Sequence, residues 1–203
     1  MSLEQLLGGD LEDPLQVAIT FDDGYASVHD VALPILKDVG TVATVFPNTG
    51  IIAEGGRNSS DAALGYYPNE SFLSWRDVEG LATERWSVGS HGVGHLDLAA
   101  ACEETASREL TASKKMIENV ISVPCMLFAY TWGKHTPCLR RLVAEAGYRY
   151  AFSGRHEPLQ ADGDPFTVPR INISNEYTMS DFKAVISGDW DYLGWIQRMK
   201  AGL

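Results

Sequence analysis

Two neighbouring aspartates and two spaced histidines are the residues best suited to chemistry in this sequence. Asp22 and Asp23 end an apolar, β-branched run at residues 17–21, and His91 and His95 follow a second strand-like run. Two imidazoles and one carboxylate form a three-ligand set that leaves a divalent ion an open position for water, as catalytic zinc sites do. The pattern therefore indicates a catalytic metal site, with one aspartate left for another role.

The local sequence also constrains how these residues are presented. Gly92 and Gly94 weigh against a regular helix between the histidines, so an irregular loop is predicted there. Adjacent side chains on an extended strand point to opposite sides, which predicts different roles for Asp22 and Asp23. Taken alone, each motif has an alternative interpretation, because Asp-Asp-Gly is an ordinary turn sequence and paired histidines also occur without a ligand.

Strand-like and helix-like segments alternate along the chain. The predicted strands cover residues 17–21, 42–46, 86–90, 127–129, 148–152 and 167–168. The predicted helices cover residues 27–39, 75–82, 102–120 and 139–146, with a bend at Pro34, a cap at Ser74 and a stop at Gly147. Such alternation is typical of a parallel sheet or barrel with its chemistry at the carboxyl ends of the strands. The length of 203 residues predicts one domain, residues 1–203.

In chain order, the motifs resemble the polysaccharide deacetylase family, the NodB homology domains or carbohydrate esterase family 4. The resemblance runs from Thr20 to about Phe182. It rests on Thr20-Phe21-Asp22-Asp23-Gly24, Ser90-His91 with His95-Leu96, Phe128-Ala129-Tyr130-Thr131-Trp132-Gly133, Ala146-Gly147-Tyr148 and Pro169-Arg170-Ile171. It implies an α/β fold, a deformed and incomplete (β/α)7-type barrel of NodB-like form, and the Phe-Ala-Tyr-Pro-Tyr-Gly variant of the third motif.

The resemblance implies metal-dependent removal of N-acetyl groups from a sugar polymer or oligosaccharide, with release of acetate. Asp23, His91 and His95 would hold a divalent metal, with Zn²⁺ expected and Co²⁺, Ni²⁺ or Mn²⁺ as other candidates. Asp22 would be the general base. Two alternatives are a metal hydrolase of a small non-peptide C–N amide and a catalytically impaired carbohydrate-binding relative.

Four departures from the family pattern affect this assignment. Thr131-Trp132 replaces Pro-Tyr in the third motif, which loosens the backbone and enlarges the pocket wall. Ala129 stands where many members carry an arginine that orients the base, so that role is carried to Arg170, which we expect to contact Asp22 directly. Gly92 replaces a Ser or Thr between the histidines, so a hydroxyl that would fix the loop is missing. The late Leu-x-His motif is absent, which leaves the general acid unassigned.

Other positions are given roles by the same resemblance. Tyr130 and Trp132 are expected to bind substrate, and a backbone N–H near Trp132 to stabilise the oxyanion. His29 and His135 are candidates for the general acid, although each also fits a surface residue. Residues 53–72, rich in Gly, Asn and Ser, are interpreted as either a substrate-covering loop or a disordered insertion.

Composition limits the partners and the compartment. A net charge of −11 and a pI near 4.8 argue against nucleic acid or an anionic membrane surface as a partner and leave N-acetylated carbohydrate compatible. Cys102, Cys125 and Cys138 are odd in number and lack Cys-x-x-Cys spacing, which argues against a disulfide framework or structural zinc. Without a leader or a long apolar stretch, the expected location is cytoplasmic as given, or extracytoplasmic if a natural leader was removed. The oligomeric state stays open.

Overall fold

The computed structural model describes residues 3–8, 16–52, 71–160 and 162–201. Its strands are β1 (Ile19–Asp23), β2 (Ala43–Pro47), β3 (Ser87–Val88), β4 (Leu127–Ala129) and β5 (Tyr150–Phe152). Its α-helices are α1 (Leu3–Gly8), α2 (Leu33–Asp38), α3 (Trp75–Thr83), α4 (Glu103–Ile121), α5 (Pro137–Glu145), α6 (Met179–Ile186) and α7 (Tyr192–Ala201). The loop predicted at residues 53–72 lies outside the described residues, apart from its last two positions.

The strands form a parallel arc. Strands β1, β2 and β3 pair in that order, and β4 pairs with β5. A parallel bridge between Ser90 and Phe128 joins the two groups, and another between Phe152 and Val168 extends the arc beyond β5. The strands of the described residues do not close into a full barrel, which confirms the prediction of an incomplete parallel α/β barrel.

Side chains of the strands alternate between two apolar clusters, because successive residues of a strand face opposite sides. The inner cluster contains Phe46, Leu127, Ala129, Phe152 and Val168 together with Leu3 of α1. The outer cluster, which packs beneath the helices, contains Val45, Val88, Phe128 and Ala151. Both sides of β2 and β4 are therefore buried, whereas β1 is half-buried along its length.

The first predicted helix is divided at its proline. Residues 28–32 form a π-helical turn, and α2 begins at Leu33 with Pro34 in its first turn. Proline lacks a backbone N–H and clashes with the preceding turn of a regular α-helix, so a departure from α-helical geometry just before Pro34 is expected. The predicted cap at Ser74 is confirmed, since its hydroxyl accepts from the Asp77 N–H while the Asp77 carboxylate accepts from the Ser74 N–H.

Two further features bear on the sequence predictions. Cys102, Cys125 and Cys138 are all free thiols. Among the helices of the described residues, none combines the length and the apolar character that a membrane span would require.

Candidate metal centre and active site

Both aspartates lie at the carboxyl end of strand β1. Asp22 and Asp23 pair in register with Phe46 and Pro47 at the end of β2. Asp23 has a φ of 71°, outside the extended region. The regular alternation that predicts opposite faces for the two carboxylates therefore stops at Asp23.

Asp23, His91 and His95 converge as the sequence predicted. Oδ1 of Asp23 lies 3.5 Å from Nε2 of His91 and 3.4 Å from Nε2 of His95. One ligand atom from each residue lies within 4.8 Å of the other two. The three side chains could therefore hold a single metal ion.

The orientation of His91 suits a metal ligand. Its Nδ1 lies 2.8 Å from the backbone carbonyl oxygen of Ala129, in a buried position. A carbonyl can only accept, so Nδ1 carries the proton and the lone pair of Nε2 faces Asp23. Burial lowers the pKa of His91 despite the opposing charges of Asp22 and Asp23, which favours the neutral imidazole that a metal requires.

The remaining two candidate ligands also fit a cation. Burial lowers the pKa of His95 and so favours its neutral form. Burial also disfavours the charged form of Asp23 and so raises the pKa of this carboxyl group, although the charge of His91 opposes the shift. A part-buried carboxylate between two neutral imidazoles has a donor set suited to a divalent ion, and zinc accepts both nitrogen and oxygen ligands.

Arg170 contacts Asp22 through both ends of its guanidinium group. Nη1 lies 2.6 Å from Oδ1 and Nη2 lies 2.7 Å from Oδ2, which confirms the predicted contact. The same guanidinium donates to Oγ1 of Thr20 and to the carbonyl oxygen of Ser153, each at 3.3 Å. Burial raises the pKa of Asp22, but the Arg170 charge and hydrogen bonds offset it, and the pKa lies below its usual value. Asp22 is therefore held ionised with both oxygens engaged.

Asn48 joins the site without having been predicted. Its Nδ2 lies 3.4 Å from Oδ1 of Asp23, and the residue is fully buried directly after β2. From the sequence alone, Pro47-Asn48-Thr49-Gly50 predicts only a turn that ends the second strand. A polar residue at the carboxyl end of a strand next to β1 is a position where contact with the metal cluster could have been expected.

The two residues predicted to bind substrate lie in different surroundings. Tyr130 is only 1% exposed, packs in the outer cluster and donates its hydroxyl to the carbonyl oxygen of Phe166 at 3.0 Å. Its ring and its hydroxyl are thus occupied within the protein, and the structure places it as a core residue instead of a contact surface. Trp132 is 53% exposed, and its ring centroid lies 4.5 Å from that of His95. The exposed aromatic surface beside the metal cluster therefore belongs to Trp132.

Strained backbone concentrates at this end of the arc. Among the described residues, the non-glycine positions with positive φ are Asp23, Arg85, His95, Ser122 and Trp132. Asp23, His95 and Trp132 belong to the site. Such conformations cost of the order of 1–3 kcal/mol each and persist where the surrounding structure imposes them, often at functional sites.

His29 and His135, the two candidates for the general acid, have neighbours that are not part of the proposed metal cluster. Nδ1 of His29 is 3.2 Å from Asp30 and 4.0 Å from Asp77 of α3. The ring of His135 lies 5.3 Å from that of Tyr130, and burial together with nearby arginines lowers its pKa. These contacts are with Asp30, Asp77 and Tyr130, so they give neither histidine a link to the metal cluster, and the general acid stays unassigned.

Solved deacetylase structures share this fold. The Streptococcus pyogenes deacetylase PplD, solved in complex with acetate, matches with a TM-score of 0.75 and 20% identity, over 92% of this chain and 78% of that one. A de-N-acetylase from Aggregatibacter actinomycetemcomitans matches with a TM-score of 0.72 and 19% identity, over 91% of this chain and 82% of that one. At these identities the similarity establishes the NodB-like α/β fold.

Sequence comparison then identifies the family. Residues 12–151, more than half of the chain, match the sequence profile described as Polysaccharide deacetylase. The chain belongs to the polysaccharide deacetylase family. A Staphylococcus aureus relative, poly-beta-1,6-N-acetyl-D-glucosamine N-deacetylase, is 25% identical in a match that covers 79% of this chain and 55% of that protein. The chain thus spans about half the length of the curated relatives that it matches.

Proposed function

We propose that this protein removes N-acetyl groups from an N-acetylated sugar polymer or oligosaccharide by metal-dependent hydrolysis, releasing acetate. The observation that carries the proposal is the pairing of Asp22 with Arg170 next to the convergent Asp23, His91 and His95. Membership of the polysaccharide deacetylase family and the named activity of the Staphylococcus aureus relative support the substrate class.

Asp23, His91 and His95 would hold the metal ion, and Zn²⁺ is the ion that this donor set favours, with Co²⁺, Ni²⁺ and Mn²⁺ as alternatives. The chemistry supplied by such an ion when bound is acidification of water and polarisation of a carbonyl group. Asn48 and the Ala129 carbonyl restrict the orientations of Asp23 and His91 through their hydrogen bonds. Outer contacts of this kind commonly set metal affinity.

Asp22 is proposed as the general base that accepts a proton from the attacking water. A carboxylate beside a dication could rotate and become a ligand itself, and the two-point contact with Arg170 opposes that rotation. The low pKa of Asp22 keeps it ionised, and therefore able to accept a proton, at neutral pH. Addition of water to the acetamide carbon and cleavage of its C–N bond would yield acetate and a free amine.

Trp132 is proposed as the surface against which a sugar ring packs. Carbohydrate rings present apolar faces, and an exposed indole next to His95 offers a flat apolar partner close to the reacting group. A backbone N–H in the turn Thr131–Gly133 would donate to the developing oxyanion.

The test is an acetate-release assay on protein that has been stripped by a chelator and reloaded separately with each candidate metal. Substrates would include N-acetylated glucosamine oligomers with β-1,6 links, other N-acetylated oligosaccharides, and small formyl and ureido compounds. We expect acetate release from at least one N-acetylated oligosaccharide, dependent on the metal. Hydrolysis confined to the small amides, or no hydrolysis by metal-loaded protein, would contradict the proposal.

A further inference from the structure

The loop that carries the two histidines is held from one side by a single glutamate. Oε2 of Glu109, on α4, lies 2.8 Å from the backbone nitrogen of Val93 and 3.0 Å from that of Gly94. Both nitrogens donate to the same carboxylate oxygen. Glu109 therefore binds the segment that lies between the two histidine ligands.

A second attachment joins the loop to the turn after β2, where the Thr49 hydroxyl also donates to the carbonyl oxygen of Gly92 at 3.4 Å. The N–H groups of Thr49 and Gly50, after β2, donate to the carbonyl oxygens of Gly92 and Val93, each at 3.0 Å. The loop thus lies between a fixed turn and α4. The attachment to α4 is the one in which a side chain, Glu109, accepts the backbone N–H groups of residues 93 and 94.

Gly92 and Glu109 fit each other. Gly92 has a φ of +86°, and a Cβ atom built on it would lie 3.3 Å from Oε2 of Glu109. The glycine therefore leaves room for the carboxylate at the position where the family resemblance led us to expect a Ser or Thr. The carboxylate supplies a fixing contact that the missing hydroxyl would otherwise be expected to provide.

We propose that Glu109 is a positioning residue for the metal site, which sets the place of His95 relative to His91. This inference rests on the proposed function, because it assumes that these histidines bind a metal. Hydrogen bonds to an ionised acceptor are short and strong, and the two from Val93 and Gly94 would support the strained backbone of His95, which has a φ of 52°. Without them the loop would have more conformations to lose when the metal binds.

The expected effect is a weaker metal site in a protein that still folds. Loss of a residue that orients metal ligands typically costs about 10- to 100-fold in metal affinity. Glu109→Ala should therefore raise the Kd for Zn²⁺ by about that factor. Glu109→Gln keeps an acceptor oxygen of similar reach but loses the charge, so its Kd should lie between those of wild type and Glu109→Ala.

Glu118→Ala is the matched control. Glu118 lies nine residues further along the same helix, and its carboxylate also accepts a backbone N–H, from Cys125 at 3.0 Å, while pairing with Lys114. Its removal should lower the melting temperature of the metal-free protein but leave the Kd for Zn²⁺ within about twofold of wild type, since its contacts lie away from the histidine loop.

The experiment measures two quantities on each variant: the Kd for Zn²⁺ by competition with a chromophoric chelator, and the melting temperature of the metal-free protein. The visible absorption of the Co²⁺ form provides a spectroscopic check on ligand geometry. A raised Kd and an altered Co²⁺ spectrum in Glu109→Ala, but not in Glu118→Ala, would support the positioning role. A Kd for Glu109→Ala equal to wild type, or equal increases in Kd for both variants, would overturn it. Absence of binding of Zn²⁺, Co²⁺, Ni²⁺ and Mn²⁺ alike by wild type would instead contradict the proposed function.

Discussion

Arg170 and Asp22 lie 148 positions apart in the chain and form a two-point contact, with both carboxylate oxygens bound at 2.6 and 2.7 Å. The guanidinium also lies above two rings of the inner cluster, 5.6 Å from the centroid of Phe46 and 5.9 Å from that of Phe152. The base is therefore oriented by a cation that the aromatic interior of the arc supports from below. This arrangement explains how an alanine at position 129 is compatible with an oriented base.

Substitution of this arginine tests the orientation. Arg170→Met keeps much of the side-chain volume and removes both hydrogen bonds, so kcat should fall by about 10- to 100-fold, the scale typical of lost outer contacts at metal sites. Metal content should change little, because Arg170 contacts no proposed ligand. Steady-state kinetics and metal analysis of the same preparation check both statements.

Arg170→Lys is the informative control for that variant. Lysine keeps a positive charge but cannot form the two parallel hydrogen bonds of a guanidinium. We expect a rate between those of wild type and Arg170→Met. A kcat unchanged in Arg170→Met would show that another group orients Asp22.

The pH profile of the same variant gives an independent prediction. The Arg170 charge holds the pKa of Asp22 below its usual value against the opposing effect of burial. A general base must be deprotonated, so activity is lost as the pH falls through its pKa. Removal of the cation raises that pKa, and the acidic limb of kcat/KM should therefore move to higher pH in Arg170→Met. An acidic limb at the same pH in both proteins would argue that Asp22 is not the base.

Trp132→Ala tests the proposed sugar contact. Loss of one aromatic packing surface is worth about 0.5–1.5 kcal/mol, which corresponds to a rise in KM of about 2- to 10-fold for an oligosaccharide. Trp195 is exposed to a similar degree, 58% against 53% for Trp132, and lies on α7. Trp195→Ala serves as the control and should leave KM unchanged. Equal KM values for wild type and Trp132→Ala would exclude the stacking role.

Gly89→Ala tests how tightly the inner cluster is packed behind the site. A Cβ atom at Gly89 would lie 2.4 Å from the Phe46 ring and 2.9 Å from the carbonyl oxygen of Leu127. Overpacking of a core typically costs about 1–3 kcal/mol, so the free energy of unfolding should fall by about that amount. Denaturant unfolding would measure it.

Gly80→Ala is the matched control for this substitution. Gly80 lies within α3, and among the residues that the structure describes a Cβ there would meet only His29 Nε2 at 3.7 Å, an ordinary contact distance. Alanine favours a helix over glycine by about 0.5–1 kcal/mol, so this variant should be more stable than wild type. A Gly89→Ala protein with the same free energy of unfolding as wild type would show that the Phe46 ring can move away from residue 89 without loss of stability.

The metal cluster could be predicted from sequence because its signals are local. Asp23 follows an apolar strand, and His91 and His95 are separated by glycines that weigh against a regular helix. The contact between Arg170 and Asp22 was predicted from the family resemblance, which moves the orienting role from position 129, an alanine here, to Arg170. The metal cluster was therefore indicated by residue type and by position at strand ends, whereas the role of Arg170 came from the resemblance.

Other features depend on packing and lie beyond the reach of a local pattern. Tyr130 belongs to the same motif as Trp132, but only the folded structure shows that one is buried and the other exposed. Asn48 and Glu109 contact the site from segments that look like an ordinary turn and an ordinary helix. The prediction that Asp22 and Asp23 point to opposite sides assumes an extended strand, and the positive φ of Asp23 departs from that conformation.

Zinc content and acetate release, measured on the same preparations, separate the proposed metal ligands Asp23, His91 and His95 from the proposed base Asp22. The proteins compared are wild type, His91→Ala and Asp22→Asn, each stripped of metal and reloaded with Zn²⁺. His91→Ala should lose both zinc and activity, because one of three protein ligands is gone. Asp22→Asn should keep its zinc and lose activity. Zinc occupancy in His91→Ala equal to that of wild type would show that His91 is not a metal ligand.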